Sequence, residues 1–145
     1  MDFPAPILIA AINARHSHAS MGARCLLANL GDLRAQTELA EFTIQQSAGE
    51  IAESIAARNP RILGLGVYVW NAARVAELLP LLRRKSPQMK IVLGGPEITE
   101  ITANADVLVL GEGDLAFAAL CRELLAGHPA APILRPPPPE LAAVR

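Results

Sequence analysis

The stretch Ile62-Leu63-Gly64-Leu65-Gly66-Val67-Tyr68-Val69 decides the fold. It contains no charge, and its apolar side chains stand on odd and even positions alike. A strand with one wet face alternates, whereas a strand covered on both faces does not. The run therefore reads as a central strand of a parallel sheet, continuing to Val69. Ile7 to Ile12, behind Pro4 and Pro6, is a second run of this kind. Lys90–Leu93 and Asp106–Leu110 are two more, each followed by glycines. Thr37 to Ile44 differs, with Leu39, Phe42 and Ile44 among polar neighbours, as an edge strand would.

Helical patterns fill the gaps between these strands. Ser20 caps a helix running to about Leu30, with Met21, Leu26, Leu27 and Leu30 on its apolar side. Ser47 opens another whose Ile51 and Ile55 sit four apart, and Pro60 closes it. Asn71 caps a longer helix carrying Val75, Leu78, Leu79 and Leu82, in which Pro80 predicts a kink or an early end. A last helix spans Leu115 to Leu125, and 97–104 reads as a short helix or a loop. Strands alternating with helices make an α/β protein. The expected architecture is a flavodoxin-like, Rossmann-like, doubly wound five-stranded parallel sheet in the order 2-1-3-4-5.

The 145 residues are 52% hydrophobic and 19% charged, enough for one domain with a buried core. The net charge of −1 gives no electrostatic footprint for nucleic acid or an anionic membrane. No apolar run approaches the roughly 20 residues that span a bilayer. Met1-Asp2-Phe3-Pro4-Ala5-Pro6 lacks the basic start of a secretory signal, so a cytoplasmic, soluble protein is expected. Cys25 and Cys121 form no CxxC pair and fall on helices, as small core residues do. After Gly127 the chain turns Pro-rich, with Pro136-Pro137-Pro138-Pro139 at its centre. Residues 1–127 read as the folded domain and 128–145 as a linker or a disordered tail.

In such a sheet, ligands bind beyond the carboxyl ends of the strands. The loops there are Asn13–Ser20, Tyr68–Asn71, Gly94–Glu97 and Gly111–Asp114, which hold the only Trp and the only Tyr. Several familiar sites are excluded. A phosphoacceptor site needs acidic residues after the first strand and Asp after the third, where this chain has Asn13 and Tyr68-Val69-Trp70. A flavin phosphate loop needs a Ser/Thr-rich turn where Ala14-Arg15-His16 stands. Gly111-Glu112-Gly113-Asp114-Leu115-Ala116 fits the dinucleotide pattern GxGxxA, but it lies in the last strand–helix unit and its acids would repel a pyrophosphate. Gly64-Leu65-Gly66 reads as room for a closely packed helix. His16 and His18 have spacing open to two metal ligands, but no acidic or thiol partner stands nearby, and loop histidines bonded to backbone or water fit as well. Tyr68 and Trp70 are two apart, which places one toward the core and the other in the crevice. They read either as a flat ligand surface or as an aromatic plug. Gly94-Gly95-Pro96-Glu97 reads either as backbone that a large ligand approaches or as a strand-ending turn.

Together these loops resemble the N-terminal cobalamin-binding domain of radical S-adenosylmethionine proteins, in a poorly characterised branch. The matching pieces are Asn13-Ala14-Arg15 with His18, Ser20 and Gly22, then Val67-Tyr68-Val69-Trp70-Asn71, Leu93-Gly94-Gly95-Pro96-Glu97 and Gly111-Glu112-Gly113-Asp114. The resemblance runs from about Ile7 to Leu125. It implies cobalamin bound by Asn13, Arg15, His18, Ser20, Tyr68, Trp70, Asn71, Gly94, Gly95, Pro96, Glu97, Gly111, Glu112 and Gly113. The corrin would rest on the strand ends, with Tyr68 and Trp70 toward its lower face, and the nucleotide tail would run into a groove beside the sheet.

The better-known cobalamin domains carry DxHxxG after the first strand, whose His ligates cobalt. This chain lacks that motif, so base-off, His-off binding is expected; His16 or His18 reaching cobalt is the alternative. Full-length family members add a C-terminal barrel whose CxxxCxxC holds a [4Fe–4S] cluster and S-adenosylmethionine. No such motif is present here, so the resemblance makes the barrel a partner in cis and leaves this chain without catalysis of its own. The parent is then a radical S-adenosylmethionine enzyme, and a methyltransferase is one form it takes. The competing reading is a docking or substrate-positioning domain of the same fold that binds no cofactor. An open apolar crevice distinguishes the first from the second, whose crevice would be filled.

Overall fold

A computed structural model describes residues 5–15, 20–96, 104–111 and 113–135. In chain order the elements are β1 (Ile7–Asn13), α1 (Met21–Ala28), a 3-10 turn (Gly31–Gln36), β2 (Thr37–Thr43), α2 (Ala48–Arg58), β3 (Ile62–Gly66), α3 (Ala72–Lys85), β4 (Lys90–Gly94), β5 (Val107–Val109), α4 (Asp114–Leu125) and β6 (Ile133–Leu134). All strand pairs are parallel, and the sheet order is β2-β1-β3-β4-β5-β6.

The sheet has six strands, which corrects the expected five. The extra strand is two residues long, pairing Leu108 with Ile133 and Val109 with Leu134. It lies beyond Gly127, within the stretch read as linker, and is too short to show any periodicity. The first five strands follow the order 2-1-3-4-5.

Continuous apolar strands arise because helices cover both faces. Side chains alternate across a strand, so Leu8, Ala10 and Ile12 of β1 join α2 and α3 in one core. Ile7, Ile9 and Ala11 join Ala23 of α1 and Phe117 and Cys121 of α4 in the other. Burial lifts the Cys121 thiol to about 12 from the ordinary 9.0.

The helix starts follow their caps. The Ser20 hydroxyl accepts from the Ala23 N–H at 3.1 Å, and the Ser47 hydroxyl accepts from the Glu50 N–H at 3.1 Å. Helix α1 stops at Ala28 rather than Leu30, because the Asn29 side chain donates to the Cys25 carbonyl at 2.8 Å and a 3-10 turn follows. Helix α3 does not end early: it runs through Pro80 to Lys85. Leu78, Leu79 and Leu82 are buried on the sheet and hold it through the missing hydrogen bond. The segment expected as a short helix or loop at 97–104 lies outside the described residues except for Asn104, as does the chain from 136 onward. Among the described residues, no helix is long and apolar enough to cross a membrane.

Candidate functional site

Strand β3 ends at Gly66, three residues before the expected Val69, and Asn71 causes this. Its buried side-chain amide donates to the carbonyls of Ile12 and Gly66, both at 3.1 Å. Its carbonyl oxygen accepts from the Tyr68 N–H at 2.8 Å. One side chain thus ties the carboxyl ends of β1 and β3 together and bends residues 68–71 away from the sheet.

That bend moves Tyr68 and Trp70 out of strand geometry. Instead of dividing between core and crevice, their rings stack on each other, with centroids 4.6 Å apart and planes 3° from parallel. Both line the crevice. The Trp70 indole N–H donates to the Ile12 carbonyl at 3.1 Å, which fixes the outer ring. Trp70 nevertheless remains 46% exposed, and Val69 and Met21 beside the mouth are also exposed.

Below this pair lies an open cavity of about 640 Å³ between the sheet and helices α1 and α4. Asn13, Ser20, Tyr68, Trp70, Gly94, Gly95, Gly111 and Gly113 all border it. Ser20 contributes as the α1 cap, and its N–H donates to Glu41 at 3.3 Å. Asn71 lies behind the wall as a strut. Arg15 and Pro96 are exposed and do not line the cavity. His16, His18, Glu97 and Glu112 lie outside the described residues.

The glycines divide by what a side chain there would meet. A Cβ at Gly95, whose φ is +98°, would sit 2.4 Å from the Val67 carbonyl oxygen, so the protein's own turn requires that glycine. A Cβ at Gly64 would meet the Phe117 ring at 2.7 Å, and this is the close helix approach expected there. Gly94 and Gly111 behave otherwise: the nearest atom to a Cβ is 4.0 Å away at Gly94, and nothing lies within 4 Å at Gly111. The rim they form is bare backbone facing open space.

The described part of the lining is close to neutral. Among the described residues bordering the cavity, the Tyr68 phenol is the one ionisable group. Nothing described there would pair with a polyphosphate, and the walls suit a large body with little charge. Among the described residues, no cluster of three or more His, Cys, Asp or Glu side chains could hold a metal ion.

Sequence reasoning missed the deeper wall: Leu26, Val92, Val109 and Phe117, together with Gly64 and Gly66. All but the glycines look like ordinary core residues in the sequence, and Gly64 was the one visible signal.

Chain comparison gives this architecture a family. A family model of the B12-binding domain matches residues 7–121, which takes in β1 through most of α4. The chain belongs to the B12-binding domain family. This B12-binding domain is 38% identical over 78 residues to a 2-(S-pantetheinyl)-carbapenam-3-carboxylate methyltransferase from Streptantibioticus cattleyicolor, covering 49% of this chain and 12% of that protein. It is 34% identical over 93 residues to the cobalamin-dependent radical SAM methyltransferase TokK of Streptomyces tokunonensis, covering 59% of this chain and 13% of that protein. It thus spans only a small part of the curated relatives it matches. The crystal structure of a cobalamin-binding protein from Desulfitobacterium hafniense superimposes with a TM-score of 0.59 at 14% identity, covering 83% of this chain and 59% of that one. That likeness is one of fold.

Proposed function

We propose that this B12-binding domain is the cobalamin-carrying module of a multidomain radical S-adenosylmethionine enzyme, in its simplest form a cytoplasmic methyltransferase. The observation that carries this reading is the open, nearly neutral cavity of about 640 Å³ at the carboxyl edge of the sheet. A docking scaffold without a cofactor would have its crevice filled, and the described residues leave this one open. The names of the two curated relatives support the methyltransferase assignment.

The residues present fit the cofactor. Gly94 and Gly111, with open space where side chains would be, admit a macrocycle against the strand ends. Gly95 and Gly113 continue that rim. The stacked Tyr68–Trp70 pair offers a flat apolar surface toward the corrin's lower face, held by the bonds from Trp70 and Asn71 to Ile12. The cavity beneath would take the nucleotide tail. Cobalamin, when bound, supplies a cobalt centre that can carry a methyl group; this chain's part is to bind, orient and shield it. S-adenosylmethionine and the [4Fe–4S] cluster belong to a barrel outside this chain, with the Pro-rich stretch as the connection.

The test is direct. The purified domain is mixed with hydroxocobalamin or methylcobalamin, desalted, and its visible spectrum recorded. Retention near one cobalamin per chain is expected, and a colourless protein overturns the reading. Replacing His16 and His18 with Ala leaves the bound spectrum unchanged if ligation is His-off.

A further inference from the structure

The chemistry of the cavity's described lining changes with depth. Ile9, Gly64 and Val92 are register partners across three neighbouring strands, and all three line the cavity. Ile9 lies four residues before Asn13 at the mouth, so the cavity descends about 13 Å along β1. Leu26, on the opposite wall, lies about 9 Å down α1 from Ser20. Phe117 of α4 closes the far side, its ring packed against Gly64.

Among the described residues, no hydrogen-bonding side chain reaches this floor. Ile9, Leu26, Val92, Val109 and Phe117 are purely apolar. β1, β3 and β4 are interior strands, paired on both sides, so their peptide groups at this depth are committed to the sheet. The polar groups of the described lining, Asn13, Ser20, Tyr68 and Trp70, stand at the end of β1, at the start of α1 and in the turn after β3.

The geometry points to a selectivity filter for the lower base of the corrinoid: the floor of Leu26, Val92, Val109 and Phe117 accepts a methylated benzimidazole and rejects adenine. This inference rests on the cobalamin reading above. Dimethylbenzimidazole presents a flat, apolar, methyl-edged body to such walls. Adenine presents an exocyclic amine and ring nitrogens that would lose water and find no partner. An unpaired buried polar group of that kind weakens binding about ten- to hundredfold.

The experiment titrates the domain with three probes by absorbance or calorimetry: hydroxocobalamin, its adenine-tailed analogue, and tail-free cobinamide as the reference. Adenine is the weaker cobalt ligand and detaches more readily, so a preference for benzimidazole runs against that bias. Hydroxocobalamin is expected to bind at least tenfold more tightly than the adenine-tailed form. Leu26→Gln, on a half-buried helical position, places an amide in the slot and is expected to narrow that ratio at least threefold. Because the ratio is taken between proteins, the cost of detaching each base cancels. Equal affinity for the two tailed corrinoids, or a ratio that Leu26→Gln leaves unmoved, overturns the filter while leaving cobalamin binding intact. Failure of all three probes, cobinamide included, overturns the cobalamin reading and the filter with it.

Discussion

Asn71→Ala tests the organisation of the site most sharply. The side chain is 1% exposed and makes three hydrogen bonds, to Ile12, Gly66 and Tyr68, across the ends of two strands. Each such bond contributes about 1 kcal/mol net, and a buried partner left unsatisfied costs about 1–3 kcal/mol. Trp70 still donates to Ile12, and the half-buried Tyr68 N–H can reach water, so the lower end applies to both. The expected loss is about 3 kcal/mol, equivalent to a fall in Tm of roughly 10 °C for a domain of this size. Urea unfolding followed by the fluorescence of Trp70, the sole tryptophan, measures it and also reports on the stacked pair. Asn71→Asp keeps the shape and the acceptor for Tyr68 but turns a carboxylate oxygen toward two carbonyls, so it is expected to be at least as damaging. A loss under about 1 kcal/mol for Asn71→Ala, or a mild Asn71→Asp, would refute the idea that these three bonds hold the loop.

Three further outcomes are expected. Gly95→Ala forces φ +98° on a side-chain-bearing residue and drives Cβ into the Val67 carbonyl, whereas Gly111→Ala at φ +92° meets open space. The first therefore loses more than the roughly 1–3 kcal/mol of backbone strain that both share, and equal losses would sink the distinction. The Cys121 thiol is held protonated by burial, with its value raised to about 12 from 9.0. Its folded value lies above its unfolded one, so its contribution is complete below pH 9.0 and is lost as pH rises toward 12. Wild type should lose up to about 1.4 kcal/mol per pH unit across that window relative to Cys121→Ala, and parallel pH curves would contradict the burial argument. Arg83 donates to the carbonyls of Met89 and Asn104 and to the Asp106 carboxylate, which also accepts from the Ile91 N–H at 2.8 Å. Arg83→Gln is expected to cost about 2 kcal/mol in urea unfolding, and a neutral result would mean that the clamp is incidental.

Much of the fold is legible in local pattern. Ile7–Ile12 and the apolar part of Ile62–Val69 lack alternation because two cores, one under each face, take up successive side chains. Ser20 and Ser47 mark helix starts because their hydroxyls stand in for missing backbone acceptors. Gly95 is legible as a turn glycine, required by the Val67 carbonyl beside it, and Gly94 and Gly111 mark an edge of bare backbone. The end of β3 is less legible. Val67-Tyr68-Val69 has every strand preference, and it is turned aside by the Asn71 amide reaching Ile12, which is 59 residues away in the chain. The pairing of Tyr68 with Trp70 follows from that bend and not from their spacing.

By itself, then, the sequence determined a parallel α/β sheet, its first five strands and the edge where its polar and flexible residues gather. These depend on periodicity and on turn chemistry, which act within a few residues. The tertiary structure alone decided the sixth strand, the stacked aromatic pair and the depth of the cavity. A two-residue strand has no period to read, and it exists because β5 offers a free edge. Phe117 becomes the floor of the cavity because α4 packs over Gly64, far from it in the chain. Such contacts are set by how whole elements stack, and a residue's own neighbours in sequence contain no trace of them.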